Sequence, residues 1–478
     1  MPALWIILGL VVLFLLVIVV RALLFRPPVG KASGSAAARI DGAAATEHLA
    51  RMVRIPTVSS RDPARMDLAQ FRAFEELLME LYPNVHRTCP REKLGRTALL
   101  YHWKGKQAGD PTVLMAHYDV VPASGDGWEQ PPFCGEVIDG VLWGRGTLDT
   151  KSTLCGILEA AEALIASGFQ PERDIYLSFS GDEETMGPSA PAVVDALEKR
   201  GIRPALVLDE GGAIVEHMFP GVKRPCAVVG IGEKGIMDME FTVKSKGGHA
   251  SAPPPGSPIP VLAEAVRSME KKPFKAVLTP AAAEMFDTLG RHSSFAYKLL
   301  FANLWCFLPL LKLICTKTGG ELNALMRTTC AFTMMEGSPA VNVLPQQAKI
   351  TANLRLVRGD TVESATEYLR KTIDNPRVEL HVAMGMNPSP YADTGSPAWA
   401  VVKEAIEATW PEAVVSPYMM VACSDSRHFC RICDNVLRFS AMPLSKEERA
   451  SIHGINEKIP VDKIKTAAEF FSRVIQKC

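Results

Sequence analysis

Three short apolar runs in the first half of the chain each end in side chains that carry acid, base or metal-ligand chemistry. The runs 112–116, 173–180 and 205–208 lead into His117 and Asp119, into Glu183 and Glu184, and into Asp209. Residues 150–167, between the first two, carry apolar side chains at helical spacing and stop at Gly168. Strands that alternate with helices predict an α/β fold with a mostly parallel central sheet. Such sheets bind ligands beyond the carboxyl ends of their strands, which is where these polar residues fall.

Five residues of metal-ligand type lie in separate motifs along the chain. They are His117 in AHYDVVP, Asp149 in GRGTLDTK, Glu184 in SGDEETMG, Asp209 in LVLDEGG and His453 in SIHGINE. Imidazole and carboxylate ligands of this number can hold two zinc ions if one carboxylate bridges them. Asp119 and Glu183 add a ligand-orienting carboxylate and a general base. Each residue alone is more often a cap or a satisfied buried group, but together they predict a hydrolytic metal site.

These motifs resemble, in order, those of metallopeptidase family twenty, the co-catalytic zinc peptidases that include aminoacylases, glutamate carboxypeptidase, carnosinase-type dipeptidases and carboxypeptidase S. The resemblance runs from about Ala44 to the C-terminus. It implies two Zn²⁺ per subunit, with Co²⁺ or Mn²⁺ as substitutes. Asp149 would bridge the ions, His117 and Asp209 would complete one zinc site, and Glu184 and His453 the other. Glu183 would be the general base and Asp119 would orient His117.

The resemblance also implies residues that contact substrate. His249 in KSKGGHAS is similar to a lid-domain histidine that stabilises the oxyanion, often from a partner subunit. Asn342 in AVNVLP matches a lid residue near the oxyanion, while Arg355 and Arg427 match positions that contact substrate, and arginine suits a free carboxylate. For each of the four, a turn residue or a structural ion pair is the alternative. Cys423 departs from the glycine that many relatives have before the SDSR segment.

Length and pattern predict two folded units behind an anchor. The chain has 478 residues, 47% of them hydrophobic, which is ample for two cores. We expect an anchor at 1–26, a linker at 27–43, a catalytic domain formed by 44–229 and 389–478, and an inserted α+β lid or dimerisation domain at 230–388. The formal net charge of zero gives no indication of a nucleic-acid partner.

The N-terminus predicts a membrane helix. Residues 3–20 are uncharged and apolar, long enough with the following residues to cross a bilayer. A cleaved signal peptide is the rival, but no Lys or Arg precedes the run and no clear A-x-A site ends it. We therefore expect a retained single-pass anchor. Arg21, Arg26, Lys31 and Arg39 follow the run, which predicts a cytoplasmic catalytic domain by the positive-inside rule.

The uncharged segment LLFANLWCFLPLL, residues 299–311, stands apart from the strand and helix alternation of the predicted lid. It is too short to span a membrane. One interpretation is a core or dimer-interface helix broken by Pro309. The others are a wall for an acyl chain, or a surface that dips into the nearby membrane.

The function that we expect is a dinuclear zinc hydrolase that cleaves an amide bond beside a free carboxylate, as a carboxypeptidase or dipeptidase does. The alternative is an N-acyl (fatty-acyl) amino acid amidohydrolase. The DVVP, LDTK and HGINE motifs of this chain also resemble those of such enzymes. A non-catalytic membrane-bound binding protein is a remote alternative, because all five ligand candidates and Glu183 are present. The expected partners are a peptide or N-acyl amino acid, the membrane, and a second subunit at the lid.

Overall fold

The computed structural model describes residues 2–28, 36–216 and 219–478. Residues 29–35 of the predicted linker, including Lys31, lie outside the described part. The first helix, α1 (Pro2–Leu24), has a mean hydropathy of 3.4 over its most apolar 18 residues and is almost fully exposed. Its length and composition suit either a membrane anchor or a signal sequence.

The first half of the body carries the strands and helices that the apolar runs predict. In chain order its elements are α2 (Gly42–Val53), α3 (Leu68–Leu81), α4 (Pro83–Thr88), β1 (Arg91–Leu94), β2 (Ala98–Trp103), β3 (Thr112–His117), β4 (Glu136–Ile138), β5 (Val141–Trp143), α5 (Lys151–Ala166), β6 (Ile175–Ser180), α6 (Ser189–Lys199), β7 (Leu206–Asp209), β8 (Ile214–Val215) and β9 (Cys226–Glu233).

The segment that follows is the predicted lid region, and it contains six strands and six helices. Its elements are β10 (Gly235–Lys244), β11 (Gly248–His249), α7 (Pro258–Lys271), α8 (Pro280–His292), α9 (Phe295–Phe301), α10 (Leu304–Thr318), α11 (Gly320–Met326), β12 (Thr329–Glu336), β13 (Val343–Leu344), β14 (Gln347–Leu356), α12 (Val362–Ile373) and β15 (Glu379–Met386).

The chain then returns to the body. The last elements are α13 (Pro397–Thr409), β16 (Val414–Met420), β17 (Val436–Arg438), β18 (Pro443–Leu444), α14 (Lys446–Ser451), β19 (Lys458–Pro460) and α15 (Val461–Ile475).

The body is built on a mixed ten-stranded sheet. Its order is β1-β2-β6-β3-β7-β17-β9-β8-β18, with β16 paired to β9. The central strands β6, β3, β7 and β17 are parallel, whereas β1 and β2 are antiparallel to their neighbours. Helices α5, α15 and α2 pack together on one face, and α6 covers part of the other. The parallel centre agrees with the prediction, and its three strand ends lie side by side.

The lid has a four-stranded antiparallel sheet in the order β12-β14-β10-β15, with α7 and α12 packed on it. Its core is separate from that of the body and includes Met237, Phe241 and Leu262. The side chains of Met285, Phe301 and Leu311, from α8, α9 and α10, belong instead to the core under the large sheet. The predicted domain boundaries at 229/230 and 388/389 remain predictions.

Candidate metal centre

The carboxyl ends of three neighbouring parallel strands bring the first ligand candidates together. His117 is the last residue of β3 and pairs with Ser180, the last residue of β6. A single 3₁₀ turn, Glu183–Thr185, follows β6, and Asp209 is the last residue of β7. Parallel strands end at the same edge of the sheet, so adjacent strand ends converge there.

Asp149 and His453 reach this edge from connecting segments. Asp149 lies just before α5, and His453 follows α14 in a left-handed conformation with φ of 60°. Nε2 of His117 lies 3.0 Å from Oδ1 of Asp149, and Nε2 of His453 lies 3.0 Å from Oδ2 of the same carboxylate. Nε2 of His453 is also 2.9 Å from Oε2 of Glu184. Asp149 therefore directs one oxygen to each histidine, which is the arrangement a bridging ligand needs.

The orientation of His117 is fixed by its other ring nitrogen. Nδ1 lies 3.0 Å from the carbonyl oxygen of Asp119, so it donates there, and Nε2 faces the Asp149 carboxylate. The carboxylate of Asp119 is fully buried and accepts hydrogen bonds from the backbone N–H groups of Glu183 and Glu184, both at 3.1 Å. Asp119 thus holds both the histidine and the turn that carries the two glutamates.

Protonation in this cluster follows from its close carboxylate–imidazole contacts. Hydrogen bonds to Asp149 and Glu184 raise the pKa of His453 to about 10. Burial acts against ionisation of Asp149, yet the hydrogen bonds from His117 and His453 outweigh it and keep the pKa of Asp149 below its ordinary value. Both imidazolium groups are stabilised by the charge of the Asp149 carboxylate, and that charge would equally attract a divalent cation.

The residues present fit a cation site. Oε1 of Glu184 is buried and has no hydrogen-bond partner within the described part of the chain. Ligand atoms of His117, Asp149 and Glu184 all lie within 4.8 Å of one another. Burial also raises the pKa of the carboxyl groups of Glu183, Asp209 and Glu210. Such a concentration of buried acid is costly unless cations offset it.

Asp209 and Glu183 lie next to His117, Asp149 and Glu184, but they are not part of the set whose ligand atoms approach within 4.8 Å of one another. Oδ2 of Asp209 accepts a hydrogen bond from the backbone N–H of Ser426 at 3.0 Å, and burial raises the pKa of the Asp209 carboxyl against a smaller, opposing effect of the nearby His117. Oε2 of Glu183 lies 3.9 Å from Nε2 of His117. Glu183 is therefore adjacent to the ligand cluster, as a group that accepts a proton from a bound water must be.

Glu457 is a site residue whose role the sequence analysis did not assign, although it ends the HGINE motif. Its fully buried carboxylate accepts hydrogen bonds from the backbone N–H groups of Gly146, Leu148 and Asp149, at 3.0, 2.8 and 3.2 Å. Its other oxygen pairs with Nη1 of Arg145 at 2.6 Å. Glu457 therefore holds the loop that carries Asp149 and joins it to the segment that carries His453.

The two candidate carboxylate-binding arginines lie on either side of Cys423. Nη1 of Arg355 is 3.7 Å from the Cys423 sulfur, and burial raises the pKa of the Cys423 thiol against a smaller, lowering effect of the Arg427 guanidinium. Nη2 of Arg427 donates to the carbonyl of Asn387 at 3.0 Å. Nη1 of Arg427 is buried, lies 3.7 Å from Oε2 of Glu233 and makes no hydrogen bond to a described residue. Nη1 of Arg427 therefore keeps hydrogen-bonding capacity that the described residues do not use.

His249 and Asn342 meet in a two-stranded ribbon of the lid. β11 pairs with β13, and the carbonyl oxygen of Asn342 accepts from the backbone N–H of Ala250 at 3.0 Å. His249 is exposed, and its Nδ1 lies 2.8 Å from the hydroxyl of Ser251. Among the described residues, no hydrogen bond or ion pair joins His249 to the ligand cluster.

Comparison with known proteins gives consistent matches. The model of "Peptidase family M20/M25/M40" matches residues 113–477. A probable carboxypeptidase S-like protein 2 of Dictyostelium discoideum is 34% identical over 90% of this chain and 84% of its own length. The N-fatty-acyl-amino acid synthase/hydrolase PM20D1 of Xenopus tropicalis is 35% identical over 90% of this chain and 85% of its own length.

A solved structure matches most of the chain. The M20 family metallo-carboxypeptidase Sso-CP2 from Sulfolobus solfataricus superposes with a TM-score of 0.65 at 17% identity, covering 90% of this chain and 98% of its own. The body and the lid of the described chain therefore follow one known fold.

Proposed function

Because the chain belongs to peptidase family M20/M25/M40 and is an amidohydrolase of that family, we propose that it cleaves amide bonds next to a free carboxylate, in the manner of a carboxypeptidase or dipeptidase, at a dinuclear zinc centre. The observation that carries the proposal is the convergence of His117, Asp149, Glu184 and His453 around one carboxylate, with a buried Glu184 oxygen left unsatisfied.

Five side chains would hold the two ions. Asp149 would bridge them, His117 and Asp209 would serve one ion, and Glu184 and His453 the other. Imidazole and carboxylate ligands suit zinc, and they also admit Co²⁺ or Mn²⁺. Asp119 and Glu457 would act through these ligands as positioning residues, because they fix His117 and the Asp149 loop by hydrogen bonds.

When bound, the ions would acidify water and polarise the scissile carbonyl. Glu183 would accept a proton from the attacking water and deliver it to the leaving nitrogen. Burial raises the pKa of the Glu183 carboxyl well above its ordinary value, which makes its carboxylate a stronger base for the proton of the attacking water. The hydrogen bonds from the Glu183 and Glu184 N–H groups to Asp119 keep this turn in position.

Recognition of the free carboxylate would fall to Arg427, with Arg355 beside it. The buried and unsatisfied Nη1 of Arg427 supports this role, since a guanidinium binds a carboxylate through two parallel N–H groups. His249 and Asn342 would stabilise the oxyanion from the lid ribbon. Both belong to an exposed strand pair, so lid movement or a second subunit would have to bring them to the centre.

A second candidate function is hydrolysis of N-fatty-acyl amino acids. It is favoured by the similarity to PM20D1, which extends over 90% of this chain. Both candidate reactions break an amide bond beside a carboxylate, so they use the same centre and differ only in the group on the other side of that bond.

The enzyme would be held at a membrane by α1, with the body on the cytoplasmic side. Arg21 and Arg26 lie at the body end of α1, and Arg39 follows 13 residues after Arg26, in agreement with the positive-inside rule. The lid would provide the contact for a homodimer.

The test uses the full chain in detergent. Metal content is measured by elemental analysis, and hydrolysis is followed on dipeptides and N-acyl amino acids with free or amide-capped carboxylates. We expect two metal ions per chain and hydrolysis confined to free carboxylates. Turnover that survives complete metal removal, or equal rates on capped substrates, would contradict the proposal.

A further inference from the structure

We propose that the corner formed by α9 and α10 inserts into one leaflet of the lipid bilayer that α1 crosses, as a second membrane-contacting element of the enzyme. The two helices meet at an angle of 103° at residues 302–303. The proposal depends on α1 lying in the bilayer and does not depend on the catalytic assignment.

Three contacts join α1 to this corner. Nε and Nη2 of Arg21 donate to the carbonyl of Ala302 at 3.1 and 3.0 Å. The amide of Asn303, which is fully buried, donates to the carbonyl of Ile18 at 3.1 Å. The rings of Phe14 and Trp305 meet edge to face with centroids 5.9 Å apart. The corner and the C-terminal half of α1 therefore pack together as one unit.

The level of these contacts along α1 sets the depth of the corner. A helix rises about 1.5 Å per residue, so Phe14 lies about 10 Å from Arg21 along the axis, towards the N-terminus. The 23 residues of α1 give a length of about 34 Å, and a bilayer has a hydrocarbon core of about 30 Å. If α1 crosses that core, Phe14 lies well inside it. Trp305 shares its level and must enter the acyl region of the same leaflet.

The polar groups at the corner have the hydrogen bonds that a position in the acyl region requires. A chain that leaves helical geometry in hydrocarbon must have its polar groups satisfied by protein. The carbonyl of Ala302 accepts hydrogen bonds from Arg21. The side-chain amide of Asn303 donates to the carbonyl oxygens of both Ile18 and Leu299. These are the interhelical polar bonds that stabilise helix contacts in membranes.

The outer face of α10 has the composition of an interfacial helix. Leu311 and Cys315 face the body, whereas Trp305, Leu310, Leu313 and Ile314 are 45–59% exposed. An uncovered apolar patch of this kind needs an occupant. A lipid leaflet would cover both the apolar patch of α10 and the exposed apolar face of α1, because the two surfaces meet where Phe14 contacts Trp305. A second copy of the chain would cover α10 without explaining the level at which Trp305 meets α1.

The experiment reconstitutes the full chain in phosphatidylcholine vesicles that contain lipids brominated in the acyl chain, which quench tryptophan on contact. The chain has seven tryptophans, of which Trp103, Trp143, Trp399 and Trp410 are buried in the body. Trp5 and Trp305 would be the two indoles in contact with acyl chains, so we expect Trp305→Phe to reduce the bromolipid-dependent quenching by about half.

Two matched variants act as controls. Trp5→Phe removes an indole from α1 and should also reduce the quenching, whereas Trp128→Phe removes one from the body and should leave it unchanged. Identical quenching in wild type and Trp305→Phe would overturn the proposal, as would a Trp5→Phe variant without effect, since α1 would then lie outside the bilayer. A Trp305 signal that disappears as the protein-to-lipid ratio rises would also overturn it and identify a second copy as the occupant. No arm measures catalysis, so a negative result here leaves the proposed function to its own test.

Discussion

Replacing Glu457 by Gln should loosen the Asp149 loop and weaken metal binding. One oxygen of the Glu457 carboxylate accepts three backbone N–H groups and the other pairs with Arg145. A glutamine can face the three N–H groups with its oxygen, but its NH₂ group then meets the Arg145 guanidinium. The reverse orientation turns the NH₂ group towards the three donors. Either way one side of the buried contact loses its partner.

The size of the effect follows from these contacts. Removing one member of a buried ion pair costs about 3–5 kcal/mol, a large part of a typical stability of about 5–15 kcal/mol. Changes to residues that orient metal ligands lower metal affinity by about 10- to 100-fold. Glu457→Ala would leave three backbone N–H groups and Nη1 of Arg145 unpaired together, at about 1–3 kcal/mol for each orphaned donor. The glutamine variant is therefore the one expected to fold and to remain measurable.

The assay follows metal retention by the full chain against increasing chelator, together with the thermal midpoint. Glu76→Gln makes the same chemical change on an exposed face of α3 and should alter neither quantity. Adding Arg145→Met to Glu457→Gln should cost less than the sum of the two single changes, because both partners of the pair are then gone. Wild-type metal affinity and an unchanged midpoint in Glu457→Gln would refute the reasoning.

Four further outcomes are expected at the centre. Glu183→Gln should keep its metal but lose about 10²- to 10⁴-fold in kcat, and near-normal turnover would remove Glu183 as the base. Asp149→Ala should lose metal from both positions, which elemental analysis checks, because a bridging carboxylate serves both ions. The chelated enzyme should become less stable as pH rises from about 6.5 to 10: the pKa of His453 is raised to about 10, so its stabilising charge is fully present below its unfolded pKa and is lost through the folded one. A thermal midpoint that rises over this window would contradict that sign. Arg427→Met should lower kcat/KM for substrates with a free carboxylate and spare amide-capped analogues, whereas equal losses on both would place Arg427 outside the binding site.

Much of the fold followed from local patterns. The helix predicted over residues 150–167 is α5 (Lys151–Ala166), and β3, β6 and β7 end within a residue of the predicted runs. These elements are strongly periodic or strongly apolar, so the sequence within each segment is sufficient to define them. The convergence of His117 with Glu184 followed from strand polarity, since parallel strand ends share one edge of the sheet.

Other features depend on contacts that no local pattern contains. The Glu457 carboxylate acts on backbone N–H groups about 310 residues earlier in the chain, and backbone donors leave no mark on a sequence. Glu233 and Arg438 form a buried ion pair between β9 and β17, two strands that are far apart in the sequence. Oε1 of Glu233 also accepts a hydrogen bond from the hydroxyl of Ser424. Segment 299–311 was predicted inside the lid region, yet Leu311 packs on the core of the body. Periodicity can reveal that a helix has an apolar face, but it does not reveal which sheet that face covers.

The position of His453 along the chain has a consequence for biosynthesis. Asp209, the last of the other four ligand candidates to be made, precedes His453 by about 240 residues. At translation rates of about 5–20 residues per second, that interval lasts about 12–50 s. Throughout it the growing polypeptide has its apolar first helix outside the ribosome but lacks the imidazole that contacts Asp149 and Glu184. If α1 anchors the chain, the nascent enzyme would therefore meet the membrane before its set of ligand candidates is complete.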